Sequence, residues 1–489
     1  MLYFSIKYYF CTLIQFAQMK TQSSLNFFTI IGLSIILAFS QNNSLSASNA
    51  GKRYPSEKKM ITDRVTGRTL TVLTSSSFSD AKPYQTHDTW TADGEWIIFR
   101  SARSGNGSQI FVVNEVTGDI IQLTDDPLVN TGSINLSRKE MKLFFIRGGD
   151  PPRGATPEIT ARPREIVELN IGRLINDSMG DSVKDATTYE RVVITLPDDL
   201  RGSGLALDAA EDRLYLGISY PRVETKTNPK EKPDTASKGK QLSTEKVTVP
   251  TDNRSSVDSK NTDPTESREA ARARFEAAGR GSSGIRSIDV RTGEMKKVID
   301  LDLRLGHLQA NPWTPGEIIY CHETTGDAVQ RIWAVNADGT NNRRIYEETA
   351  DEWITHETVS GPDELMFLIM GHLPYLREKP TGIAVINLRN KQMKLLGQIE
   401  EDMGKGQQGG FWHCNGSPDG RWAAGDTFKG SIYIINRETG ERTMLTTGHK
   451  MRPDHAHPIF SRDSKRVLIQ SGMLTNGKAL NLMTVSIPE

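Results

Sequence analysis

An all-β ring of repeated four-stranded units, a seven-bladed β-propeller, is the fold class this sequence predicts. A unit of about 40 to 50 residues recurs along the chain, the length of one propeller blade. Each clear copy places an Asp-Gly turn early and a Thr-Gly turn late, between apolar runs of strand length. Such dipeptides between alternating apolar runs are hairpin signals. Histidines also return at one position of the unit, near its first strand.

The first copy reads TWTADGEWIIFRSARSGNGSQIFVVNEVTGDIIQLTD and the cleanest later one CNGSPDGRWAAGDTFKGSIYIINRETGERTMLTT. Units start near His87, Ser133, Leu205, His307, His356, His413 and His457. The last, HPIFSRDSKRVLIQSGMLTNGKALNLMTVSIPE, has only three strands. Its missing fourth strand is expected from the N-terminal RVTGRTLTVLT, Arg64 to Thr74, so that both chain ends close one blade. Closure removes open sheet edges, which otherwise invite edge-to-edge pairing. The propeller is expected over residues 60–489.

Residues 222–284 break the pattern. They are rich in Lys, Thr, Ser, Pro and Asp and nearly free of aromatics, a composition that cannot bury enough surface to order itself. They read as a disordered insert in the third unit, between GISY and IRSIDV.

Residues 1–50 read as a signal peptide. Lys20 supplies charge, FFTIIGLSIILAF (Phe27 to Phe39) is the apolar run, and SLSASNA offers small residues for cleavage. The run is short of the roughly 20 residues a membrane span needs, so no stable membrane insertion is expected after cleavage. Met19 is an alternative start. The expected location is exported, periplasmic or secreted. Sixty Lys and Arg balance 60 Asp and Glu, which gives no global field for nucleic acid. Beyond the signal, only Cys321 and Cys414 remain, as one disulfide or two buried thiols.

The stretch MRPDHAHPIFS, Met451 to Ser461, carries His455 and His457 two residues apart. On a strand both would face one side and could reach one metal ion. His87, His413 and His457 each precede a turn aspartate (Asp93, Asp419, Asp463) by six residues, and His356 and His307 hold near-equivalent positions. Innermost strands line a propeller's channel, so these imidazoles are expected at one mouth. His322 of IIYCHE and His372 of FLIMGH, at the ends of second strands, should reach the same mouth.

These motifs resemble the oligogalacturonate lyases, manganese-dependent seven-bladed propellers. The resemblance rests on THDTWTADGEWIIFRSARSGN, CHETTGDAVQRIWAVNADGTNNRRIY, ITHE, WHCNGSPDGRWAAGD and DHAHPIFSRDSKRVL. It covers Tyr84 to the C-terminus apart from the insert and is tightest after His307. It implies metal binding by His356, His455 and His457, with Mn²⁺ or another divalent cation, and His322 as catalytic base. It also implies Arg331 of QRIW as a partner for a substrate carboxylate. Where the family has a metal-binding glutamine, three residues before the first His of the pair, this chain has Arg452, which has no lone pair to give. The ion would then have three protein ligands plus water or substrate, or take His413 as a fourth. Arg452, His307 and His87 complete the expected substrate-binding set.

The chemistry suits these groups. β-Elimination takes the weakly acidic H5 of a uronate and expels the O4 substituent. A cation on the C6 carboxylate stabilises the developing charge, and a neutral imidazole suits as base. The expected substrates are short oligogalacturonides. The alternatives are a lyase for another uronate-containing glycan and a non-catalytic Tol-like binding propeller.

Overall fold

The computed structural model describes residues 48–220, 280–323, 331–348, 352–370, 381–401, 403 and 409–488. His372, most of the expected insert and all but the last three residues of the expected signal segment lie outside them. Seven antiparallel sheets follow one another along the chain. Their innermost strands are, from the second blade to the seventh, Val129–Leu136, Arg201–Leu207, Leu305–Ala310, Trp353–Gly361, Phe411–Gly416 and Ile459–Phe460. The first blade has no full inner strand; a bridge between Trp90 and Ile97 takes that place.

The closure follows the sequence pattern. Thr69–Val72 pairs with Asn481–Ser486, Val72 opposite Met483, and Lys59–Thr62 adds a fifth strand outside it. The sheets begin slightly earlier than residue 60, because Arg53–Tyr54 pairs with Ile120–Gln122 on the outer edge of the first blade. The insert also ends earlier than expected. Arg280–Asp289 is already a strand, and Ser283 and Gly284 pair with Ser219 and Ile218. Gly and Ser there read as linker by composition, yet ladder hydrogen bonds hold them.

Burial explains why the ring is stable. Apolar residues follow one another along the central strands, as in Trp96–Ser101 and Gln109–Asn114, and successive side chains point to opposite faces, so a blade has two greasy faces and each packs on a neighbour. Seven buried clusters result, one at each blade junction, including the junction between the last blade and the first. The closing cluster joins Leu468 and Leu482 of the last blade to Ile97, Phe99 and Phe111 of the first. Inner-strand amides also tie alternate junctions along the channel. Asn135 clasps the backbone of Leu205 and Leu207, Gln309 that of Glu357 and Val359, and Asn415 that of Phe460 and Gln85.

One helix, Ile171–Met179, interrupts the all-β pattern between the third and fourth strands of the second blade. Asn170 caps it by accepting from the Arg173 N–H, and Ile171, Leu174 and Ile175 turn inward at helical spacing. Cys321 and Cys414 are both free, buried thiols. No helix among the described residues is long and apolar enough to cross a membrane.

His449 yields a stability prediction. It is buried, with Nδ1 2.7 Å from Ser471 Oγ and Nε2 3.2 Å from Thr446 Oγ1. Burial drives its pKa down to about 4 from 6.5. The unfolded chain therefore binds this proton more tightly, and stability falls as pH drops from 6.5 towards 4, by about 3 kcal/mol from this group. His449→Gln should flatten that acid limb in thermal unfolding measured across the same window. An unchanged limb would assign the acid sensitivity to other groups.

Candidate active site

The local backbone at the inner strands is irregular where the site lies. Register shifts interrupt pairing between Gly306 and Gln309, between Thr355 and Thr358, and between Phe411 and His413. Bulges of this kind re-aim a side chain. His307, His356 and His457 have positive φ (44°, 56° and 48°), a region that costs a non-glycine residue about 1 kcal/mol or more. Three strained histidines at one place mark a functional constraint on the backbone.

The imidazoles of four blades meet there. The ring centroids of His356 and His413 are 4.2 Å apart, those of His413 and His457 3.8 Å, and those of His413 and His455 5.3 Å. His307 lies 6.2 Å from His356. Tyr84, from the segment leading into the first blade, packs against His307, His413 and His457. Trp412 covers His356 and His455 at 4.7 and 5.6 Å. His455 and His457 do not sit on a strand as expected. The strand begins only at Ile459, and both residues lie in the loop before it, so backbone curvature rather than alternation brings them to His413.

Hydrogen bonds fix the rings. Asp426, fully buried, accepts from the backbone N–H groups of His413, Ala456 and His457 and lies 3.1 Å from His413 Nδ1. His413 therefore gives its Nδ1 proton to Asp426 and keeps the Nε2 lone pair, the usual arrangement of a metal-binding histidine. The ligand atoms of His413, Asp426 and His455 lie within 4.8 Å of one another. His455 Nδ1 is buried and has no partner among the described residues. Burial, then the neighbouring imidazoles, push His356 and His413 well below the ordinary histidine range, so both stay neutral. Neutral imidazoles with open nitrogens fit a divalent cation.

His356 is placed differently from the other rings. Its Nδ1 is 2.8 Å from the Tyr84 hydroxyl, and its Nε2 is buried without a partner among the described residues. Like His457, it falls outside the set formed by His413, Asp426 and His455.

A charged group adjoins the rings. His307 Nδ1 is 3.0 Å from Glu357 Oε1 and its Nε2 3.7 Å from Glu323 Oε2. Arg331, buried, stands 3.6 Å from Glu323 and 3.7 Å from Glu357. Among the described residues none of these contacts is aligned as a hydrogen bond: Arg331 Nε and Nη1 and both Glu357 oxygens are buried and unsatisfied. Despite burial, His307 and Arg331 hold the Glu357 carboxyl down at about 2, and in return Glu357 raises His307.

Two expected residues stand elsewhere. Cys321 and Glu323 both turn toward His307. Strand alternation therefore puts His322 on the opposite face, half-buried, with its N–H donated to Arg331 O. His87 is engaged at both nitrogens, by Thr86 Oγ1 and Leu205 O, and lines a separate cavity of about 120 Å³ with Asp88, Asn135 and Arg138. Arg452 is exposed beside His455 and contributes to lowering it.

Sequence reasoning missed Lys82, Tyr84, Gln85, Asp426 and Asp454. Lys82 is buried, and desolvation drives it down to about 7 against the pull of Asp454 and Asp426. For Lys82, Tyr84 and Gln85 the one signal was position: KPYQ lies just before the start of the first unit near His87.

Fold and site together define a seven-bladed propeller with a histidine-rich, metal-competent centre on its channel. Residues 278–489 match the oligogalacturonate lyase family model. Among curated relatives, the oligogalacturonide lyase of Pectobacterium atrosepticum is 28% identical over 206 residues, 38% of this chain and 51% of the relative. The oligogalacturonate lyase of Dickeya dadantii is 25% identical over 208 residues, again 38% and 51%. The chain thus spans about half the length of the curated relatives it matches. An oligogalacturonate lyase solved in complex with manganese aligns with TM-score 0.65 at 19% identity, over 90% of this chain and 98% of its own. The oligogalacturonate lyase from Vibrio parahaemolyticus aligns with TM-score 0.64 at 17% identity, over 90% and 99%. At these identities the two structures establish the shared fold.

Proposed function

We propose that the protein is an exported lyase that cleaves short oligogalacturonides by metal-assisted β-elimination, in pectin catabolism. One observation carries this reading: five imidazoles from four blades converge beside a buried arginine, with His356 Nε2 and His455 Nδ1 open. His413, His455 and His457 would hold Mn²⁺ or a similar cation, and Asp426 orients His413. When bound, the ion stabilises enolate-like charge on the C6 carboxylate.

The geometry favours a different division of roles from the one the motifs implied. His356, expected as a ligand, is the better base. In the tautomer whose Nδ1–H is donated to Tyr84 Oη, its buried Nε2 keeps a lone pair, which can accept H5 as C4–O4 breaks and C4=C5 forms. His322, expected as the base, lies by strand alternation on the face opposite Cys321 and Glu323. Arg331 has unsatisfied N–H donors for a uronate carboxylate, and exposed Arg452 can meet a neighbouring one. His307 adjoins the same ring cluster, while His87 is engaged elsewhere by Thr86 and Leu205.

Incubation with digalacturonate and Mn²⁺ should produce the ultraviolet absorbance of a conjugated 4,5-unsaturated uronate. A chelator should abolish it and added Mn²⁺ restore it. Full activity in the chelator would overturn the metal reading, and turnover only of another uronate oligosaccharide would overturn the substrate.

A further inference from the structure

Thr355 pairs with Leu368 and Thr358 with Met366, so His356 and Glu357 together stand opposite Phe367. This bulge frees two successive side chains from strict alternation. His356 reaches His413 of the next blade, whereas Glu357 reaches back to His307 and Arg331 of the preceding one. The Glu357 carboxylate is fully buried, and among the described residues neither oxygen has an aligned hydrogen bond. A carboxylate buried in this way costs stability rather than adding it. The fold alone gives no reason for it.

Its two oxygens divide between two partners. Oε1 lies 3.0 Å from His307 Nδ1, and Oε2 lies 3.7 Å from Arg331 Nε. Glu323 Oε2 stands 3.6 Å from Arg331 Nη2. A guanidinium is planar and rigid, so attraction at Nε and Nη2 sets the direction of Nη1, which is buried and open. The ligand atoms of His307, Cys321 and Glu357 also lie within 4.8 Å of one another, a spacing that suits an ion. Arg331 already brings positive charge to that carboxylate, however, and would repel a divalent ion beside it.

We propose that Glu357 is a positioning residue, whose carboxylate orients the Arg331 guanidinium so that its open N–H donors meet a substrate uronate carboxylate. The inference rests on the lyase reading above and deepens it. Glu357 touches no substrate atom itself and acts through Arg331.

Steady-state kinetics on digalacturonate with Mn²⁺ test it in wild type, Glu357→Gln, Arg331→Ala and the double variant, alongside thermal unfolding and Mn²⁺ calorimetry. Glu357→Gln should raise KM at least about tenfold while kcat holds within about threefold, the pattern of lost uniform binding. Its thermal midpoint should stay within about 2 °C of wild type. In the Arg331→Ala background the same change should cost less than about twofold, as two residues acting as one unit require. Glu357→Asp draws the charge back by one methylene; it should also raise KM, and it carries the comparison should the glutamine variant fail to fold. Wild-type KM in the folded Glu357 variants overturns the proposal. So does an equal loss with and without Arg331, or a midpoint that falls along with kcat, which would make Glu357 part of the fold. A second Mn²⁺ per wild-type chain that Glu357→Gln loses would make it a metal ligand instead. Wild-type protein that leaves digalacturonate intact overturns the lyase reading itself, whatever the variants do.

Discussion

His356→Ala should lower kcat for oligogalacturonide cleavage by at least about 10²-fold while Mn²⁺ affinity stays within a few-fold of wild type. The expectation follows from how the ring is held. Tyr84 anchors Nδ1, Nε2 is buried and open, and Trp412 packs across the ring at 4.7 Å. Burial, then the neighbouring imidazoles and Arg331, keep the imidazole neutral. A base acts on the transition state, so its loss appears in kcat rather than in ground-state binding. The matched control is His413→Ala, which should lose Mn²⁺ binding and activity together. If His356→Ala instead releases the metal, the motif-based role of ligand was right. If His356→Ala stays active and His322→Ala does not, the base is His322.

Much of the fold was legible because it is local. Turn dipeptides and strand-length apolar runs recur within each unit, and a three-stranded final unit demands a partner from the other end of the chain. Thr69–Val72 supplies it. The end of the insert was misplaced because Gly and Ser carry no apolar signal, and only pairing with Ile218 and Ser219 makes strand of them. The histidines were legible as a set, since their spacing follows the repeat. Their individual roles were not. A bulge shifts alternation by one residue, and nothing in the sequence at His307 or His356 announces positive φ. His322 was assigned from its motif, yet the face it occupies depends on where Cys321 and Glu323 turn. Tyr84, Gln85 and Asp426 act across 272, 372 and 31 residues of sequence, on His356, His457 and the His457 N–H. Contacts of that range have no local pattern.

Asp426 is the test of whether the centre is preorganised. It accepts three backbone N–H groups, from His413, Ala456 and His457, and faces His413 Nδ1 at 3.1 Å. One carboxylate thus fixes a tautomer and pins the loop that presents His455 and His457. Asp426→Ala would leave these donors buried and unpaired, each at about 1–3 kcal/mol. The thermal midpoint should fall by several degrees. Mn²⁺ affinity, measured by calorimetry well below that midpoint, should fall by about 10–100-fold, the usual loss when an orienting partner is removed. Asp426→Asn keeps one acceptor but sets an NH₂ against N–H groups, so it should recover little of either quantity. A variant that is destabilised yet binds Mn²⁺ as wild type would show that the loop positions its histidines without Asp426. One that is stable and loses the metal outright would make Asp426 a ligand in its own right.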